Sequence, residues 1–110
     1  MKSDSIRIAN CSGFYGDKLS VARDMIEGGP IDVLTGDYLA ELTMTILYNQ
    51  KLKRGEQHGY VGTFLKQFRD VAKLAQEKKI KIVTNAGGLN PSSMADSVKE
   101  IIDELNLDLK

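Results

Sequence analysis

The sequence predicts an α/β protein built on a parallel sheet, and three observations carry that reading. Short runs rich in β-branched residues stand at Ile6–Asn10, Ile31–Thr35 and Ile80–Thr84. Each is followed by a glycine-containing turn and then by a stretch with helical periodicity. Strand alternating with helix favours parallel strands joined by right-handed crossovers. Parallel strands are ordinarily covered on both sides, so the expected architecture is a Rossmann-like, three-layer unit with helices on both faces. The 110 residues hold neither a linker nor a low-complexity segment, and the whole chain, 1–110, reads as one unit.

The elements follow in order. After Ile6–Asn10 the chain turns at Ser12-Gly13, and Asp17 can cap a helix in which Leu19, Ala22 and Ile26 share a face before Gly28-Gly29-Pro30 stops it. Ile31–Thr35 ends at Gly36, and Asp37 is placed to open a second helix running to about Asn49. That helix is apolar around most of its circumference (Leu39, Leu42, Met44, Ile46, Leu47, Tyr48), which predicts burial on more than one side. A polar loop, Lys51–Gly59, leads to a third helix over Val61–Lys78, with Val61, Phe64, Leu65, Phe68, Val71, Ala72 and Ala75 on one face. Two helices therefore separate the second and third strands. A parallel third strand requires the loop to climb back to the starting edge. About nine extended residues reach about 30 Å, against about 20 Å for the helix, so the climb is feasible. It would bring His58, Gly59 and Tyr60 to the site edge. Ile80–Thr84 is the third strand. Asn90-Pro91 starts a fourth helix with Ala95, Val98, Ile101, Ile102 and Leu105 inward, and Leu107-Asp108-Leu109 reads as the opening of a further strand.

Composition narrows the function classes. Lysine plus arginine equals aspartate plus glutamate at 15 each, so the chain lacks the basic excess of a nucleic-acid binder. Its basic groups, Lys51-Lys53-Arg54 and Lys78-Lys79-Lys81, are explained by solvated helix ends. No run is long and apolar enough to span a membrane, the first residues lack a signal-peptide core, and one unpaired cysteine fits a reducing cytoplasm. A single histidine and a single cysteine make a zinc site improbable, and no metal ligands are assigned.

In parallel α/β sheets ligands sit beyond the carboxyl ends of the strands. The three post-strand loops should therefore share one edge and hold the candidate site. In the first, Asn10 can orient a ligand, Gly13 and Gly16 can present backbone donors, and Ser12 is a further candidate ligand contact. Against the G-x-G-x-x-G fingerprint, Gly13 and Gly16 match, Cys11 replaces the first glycine, and Asp37 follows at ribose-acid spacing. A dinucleotide-dependent oxidoreductase is accordingly one alternative, although the missing glycine is the one that forms the tight turn. Cys11 can be a nucleophile near a helix N-terminus or a small buried residue at a strand end; the second needs no partner base. In the second loop Asp37 and Glu41 are four apart, so both carboxylates share one helix face. They are the candidate catalytic pair for acid/base work or metal chemistry, against the plainer reading of a cap and a first-turn acid. In the third loop Gly87 and Gly88 bring bare N–H groups to a helix N-terminus, an arrangement suited to an anion, with Asn85 and Asn90 to orient it. A turn plus cap accounts for Asn90 and Pro91 equally well. His58 can approach the site or simply be a loop residue.

The strings Ser12-Gly13-Phe14-Tyr15-Gly16-Asp17, Asp32 to Thr43, Gly59-Tyr60 and Lys81 to Pro91, in this order, resemble the acyclic terpene utilisation (AtuA-like) family over Ile6 to Ile102. The resemblance implies the first part of a core domain several times longer, and so an incomplete portion of a larger fold. It also implies a link to catabolism of acyclic terpenes such as citronellol and geraniol, whose intermediates travel as CoA thioesters. No catalytic residues follow from it, no cofactor is indicated, and whether the chain is itself an enzyme stays open. The function expected is that of a metabolic protein binding an anionic small molecule, a carboxylate or acyl-CoA, at the strand ends. The alternative from another class is a non-catalytic assembly subunit. Three strands with two free edges and an apolar second helix also predict self-association, or a missing C-terminal portion to cover them.

Overall fold

The structure is a computed structural model and describes residues 5–13 and 18–109. The order of elements is β1 (Ile8–Asn10), α1 (Val21–Glu27), β2 (Val33–Gly36), α2 (Glu41–Arg54), α3 (Gly62–Lys78), β3 (Lys81–Thr84) and α4 (Pro91–Glu104). The three strands form one sheet in the order β1-β2-β3, and both pairings are parallel. The parallel third strand that the shared edge required is present, and β1 lies beside β2. Strands begin later than the apolar runs suggest. Asp32 and Val33 donate their N–H groups to the carbonyl of Arg7 and the Asp32 carboxylate accepts from the Arg7 N–H, so the residues before Ile8 and Val33 serve as an end clasp.

Register decides which side chains meet. Ala9, Leu34 and Ile82 lie abreast, as do Ile8, Val33 and Lys81, and Asn10, Thr35 and Val83. Successive residues point to opposite faces. Leu34, flanked by Ala9 and Ile82, packs with Ala22 and Ile26 of α1, Val71 and Ala75 of α3, Cys11 and Ile80. The other face carries Ile8, 64% exposed, and Val83, 57% exposed. The expectation of helices on both faces is therefore corrected among the described residues: the helices packed on the sheet gather on one. The reason is topological. Two right-handed crossovers that step in the same direction, β1 to β2 to β3, lay their helices on the same side.

α3 is the spine. Phe64, Phe68 and Ala72 join Tyr38, Leu47, Val61, Ala86 and Ile101 in one apolar cluster, while Val71 and Ala75 belong to the cluster under α1. Arg23 of α1 grips Asp70 of α3 through its Nε and Nη2, and Glu27 through its Nη1. The Asp70 carboxylate, and Glu27 after it, hold the guanidinium pKa above its ordinary value. α3 closes at Lys79, which is left-handed (φ 57°), and the Ile80 N–H returns to the carbonyl of Ala75.

Other boundaries move for identifiable reasons. Asp17, the expected cap of α1, lies with Phe14, Tyr15 and Gly16 outside the described residues. α1 starts at Val21 behind Ser20, whose side chain makes no capping bond, and Leu19 lies outside the helix and exposed. α2 starts at Glu41, not at Asp37, and continues through Lys51 to Arg54. It is not buried on several sides: Thr43 and Leu47 are buried, while Leu42, Tyr48 and Leu52 are 71%, 56% and 66% exposed. The long climb is also unnecessary. Both flanks of α2 are hydrogen-bonded to the loop after β3, so the helix lies over the carboxyl edge of the sheet and does not descend along it. In α4, Ala95 and Leu105 turn outward while Ile101 is buried. Leu107 to Leu109 do not form a strand. Leu107 and Leu109 cover the α3–α4 cluster, and the Asp108 N–H donates to Gln76 Oε1.

Candidate functional site

The carboxyl ends of the three strands carry a continuous polar ledge. At the end of β1, Asn10 accepts through Oδ1 from the Thr35 hydroxyl of β2 at 2.9 Å and donates through Nδ2 to the carbonyl of Ser12 at 2.8 Å. The same carbonyl accepts from the Asp37 N–H at 3.0 Å, and the Cys11 N–H donates to the carbonyl of Thr35. At the end of β3, Asn85 spans two partners. Its Oδ1 accepts from the Tyr38 N–H at 2.9 Å, and its Nδ2 donates to Asp37 Oδ1 at 2.8 Å. Thr84 donates its hydroxyl to the carbonyl of Gly36 and accepts from the Ala86 N–H. Loops far apart in sequence thus converge as expected, and Asn10, Gly13, Asp37 and Asn85 are all exposed there.

Tyr38 fixes the ledge from below. Its ring is 1% exposed, meets Phe64 edge-on at 6.1 Å, and its hydroxyl bonds the buried Gln67. A β-carbon on Gly36 would sit 2.7 Å from that ring, so glycine is what lets the chain fold the tyrosine back under β2. This inward step keeps Asp37 out of the helix. α2 is headed by Ala40, in extended conformation and without a side-chain cap, and Asp37 is therefore not its cap. Nor do Asp37 and Glu41 share a helix face. Glu41 is the exposed first residue of α2, and Asp37 stands in the extended segment before it.

The third loop is occupied by its own packing. Asn90 caps α4 by accepting from the Ser93 N–H, and its amide donates to the carbonyls of Glu56 and His58. The Gly88 N–H donates to the carbonyl of Asn85, and the Leu89 N–H to that of Gly59. Gly88 is left-handed (φ 53°), and a β-carbon there would strike Leu47 of α2; one on Gly87 would lie 2.7 Å from Pro91. These glycines hold the loop against α2 and α4. Ser12 is buried beneath the ledge, and Gly16 lies outside the described residues.

Cys11 is 4% exposed, packed in the cluster with Ala22 and Leu34. His58, half-buried, lines a groove of about 330 Å³ with Gln57, Tyr60, Ser93, Asp96 and Ser97, on the α4 side of the loop. Among the described residues no group of three or more histidine, cysteine, aspartate or glutamate side chains could hold a metal ion, and no helix is long and apolar enough to cross a membrane. The dinucleotide fingerprint expects a helix that opens within the glycine turn. α1 opens later, at Val21. Thr35, Tyr38 and Gln67 were not among the residues singled out from sequence. The signal for Tyr38 was available in the Gly-Asp-Tyr order, and that for Gln67 in its spacing: it stands three after Phe64 and four before Val71, a polar residue at the edge of the inward face of α3.

The fold and this edge define a parallel-sheet α/β protein whose strand-end loops meet in one polar ledge. Against protein-family models, residues 6–110 match the acyclic terpene utilisation family protein AtuA. The chain belongs to that family. No match was found among the curated proteins or the solved structures.

Proposed function

We propose that the ledge of Asn10, Thr35, Asp37 and Asn85 binds an anionic small molecule of the carboxylate or CoA-thioester kind, as part of a metabolic protein of acyclic terpene utilisation. The observation that carries this reading is the convergence of Asn10, Asp37 and Asn85 at the exposed ends of the parallel strands. A primary amide has two N–H donors. Asn10 and Asn85 each spend one on the loops, which leaves one each for a carboxylate or phosphate oxygen. Asp37 has a second oxygen to accept from a pantetheine amide or a hydroxyl, or to take a proton next to an acyl carbonyl. Glu41 stands at the head of α2 and is available only as a second, more distant acid.

Calorimetry with three probes tests the proposal: a CoA thioester of an acyclic terpenoid acid, free CoA and the free acid. Asp37→Asn keeps an acceptor for Asn85 but removes the charge. A hydrogen bond to a charged group is worth about 1.5–3 kcal/mol, so the variant should bind the thioester at least about tenfold more weakly, with its melting temperature unchanged. Equal binding by variant and parent would remove Asp37 from the site. Absence of binding by all three probes at millimolar concentration would overturn the ligand class. An assembly role is the second reading, favoured by the exposed apolar face of α2.

A further inference from the structure

The outward face of α2 is patterned, and the pattern is self-complementary. With 3.6 residues per turn, Leu42, Thr45, Asn49 and Leu52 fall in one stripe at the three-four-three spacing of a helix-pairing seam. All four are exposed, and Leu42 and Leu52 are 71% and 66% so. The inward face, Thr43 and Leu47, is buried. The stripe reads apolar, polar, polar, apolar, the same in both directions. Laid antiparallel on a copy of itself, it sets each Leu42 against a Leu52 and each Thr45 against an Asn49. Laid parallel, it would stack the basic ends on each other.

Charge favours the same arrangement. The helix begins with Glu41 and ends with Lys51, Lys53 and Arg54. An antiparallel pair brings the acidic start of one copy beside the basic end of the other and opposes the two helix dipoles. The formal net charge of zero gives two copies no long-range repulsion. A two-fold contact pairs one surface patch with itself, as this stripe does. We infer that the chain forms a two-fold dimer through antiparallel pairing of α2 along Leu42, Thr45, Asn49 and Leu52, with a second copy of this chain as the occupant of that face.

Sedimentation velocity of the 110-residue chain across the micromolar range tests it. The parent should sediment as a dimer. Leu42→Glu and Leu52→Glu should each shift the species to monomer while circular dichroism and the thermal melt stay intact, because neither side chain is buried. Ile8→Lys, on the bare sheet face, should leave the dimer in place. A monomeric parent, or a dimer that survives Leu52→Glu or is lost in Ile8→Lys, overturns the inference. Orientation has its own readout. Ten residues at 1.5 Å rise are about 15 Å, and a disulfide needs Cα atoms within about 7 Å. Leu42→Cys and Leu52→Cys should therefore cross-link only when mixed under mild oxidation. Cross-linking of either variant alone would show a parallel pair and overturn the antiparallel arrangement.

Discussion

At the scale of single residues, the site is positioned by a side chain that is not in it. Tyr38 occupies the core below the ledge, and its neighbours in sequence inherit their places: Asp37 on the surface, Gly36 pressed against the ring. The bond between the Tyr38 hydroxyl and Gln67 satisfies a pair of buried polar groups in an otherwise apolar cluster. Tyr38→Phe takes the hydroxyl donor away from the buried Gln67 Oε1, and a buried acceptor deprived of its donor costs about 1–3 kcal/mol. Tyr38→Phe should lower stability by that amount in chemical denaturation. Tyr38→Phe combined with Gln67→Leu should recover part of the loss, since replacing both polar groups by apolar ones of similar shape is nearly neutral apart from the long bond that Gln67 Nε2 also donates to the Lys18 carbonyl. Additive losses in the double variant would show that the hydroxyl bond is not what stabilises this corner. The same residue explains what was hidden in the sequence. Asp37 has the composition of a helix cap, and local propensity alone starts α2 there. The burial of Tyr38 is a tertiary effect, and it moves the helix start to Glu41. Asn90, by contrast, was legible as a cap because its partner, the Ser93 N–H, is local.

At the scale of elements, the strands and helices were readable wherever a single period dominated. α3 and α4 fall where the pattern puts them, because each has one inward and one exposed face along its length. α2 misled for the opposite reason: apolar residues around a helix normally mean burial all round, and here a stripe of them faces outward. The end of α3 shows how a boundary can be set by geometry with no helpful residue. Lys79 takes the left-handed conformation that glycine adopts freely, and its N–H bonds back to Ala75 and Gln76. A non-glycine residue there costs about 1–2 kcal/mol, part of which glycine returns through its greater freedom in the unfolded chain. Lys79→Gly should therefore stabilise the protein by about 0.5–1 kcal/mol, seen as a rise in the denaturation midpoint with unchanged slope. A fall in the midpoint would mean that the lysine side chain contributes more than its backbone costs.

At the scale of the whole molecule, one sheet face and one helix face are bare among the described residues, yet the interior is joined. The radius of gyration is 14.4 Å, against about 13 Å for a compact chain of this length, in keeping with an uncovered sheet and a helix laid over its edge. Two apolar clusters flank α3, one with α1 and β2, the other with Tyr38, Leu47 and α4, and Ile82 touches both. Because the same helix supplies Phe68 and Ala72 to one cluster and Val71 and Ala75 to the other, neither can come apart without loosening its spine. Ile26, fully buried under α1, and Ile101, 6% exposed in α4, probe the two sides. Truncating a buried isoleucine to alanine costs about 2–5 kcal/mol. Ile26→Ala and Ile101→Ala should each lower the stability of the entire chain by that amount. Helix content by circular dichroism and tyrosine fluorescence should report one coincident transition in the parent and in both variants. If Ile26→Ala instead separated an early loss of α1 from a later unfolding around Tyr38, the clusters would be independent and α3 would be a shared wall between them. Coincident curves would show that the ledge, whose Asn10 belongs to one side and whose Asp37 and Asn85 belong to the other, keeps its shape only as long as both cores are closed.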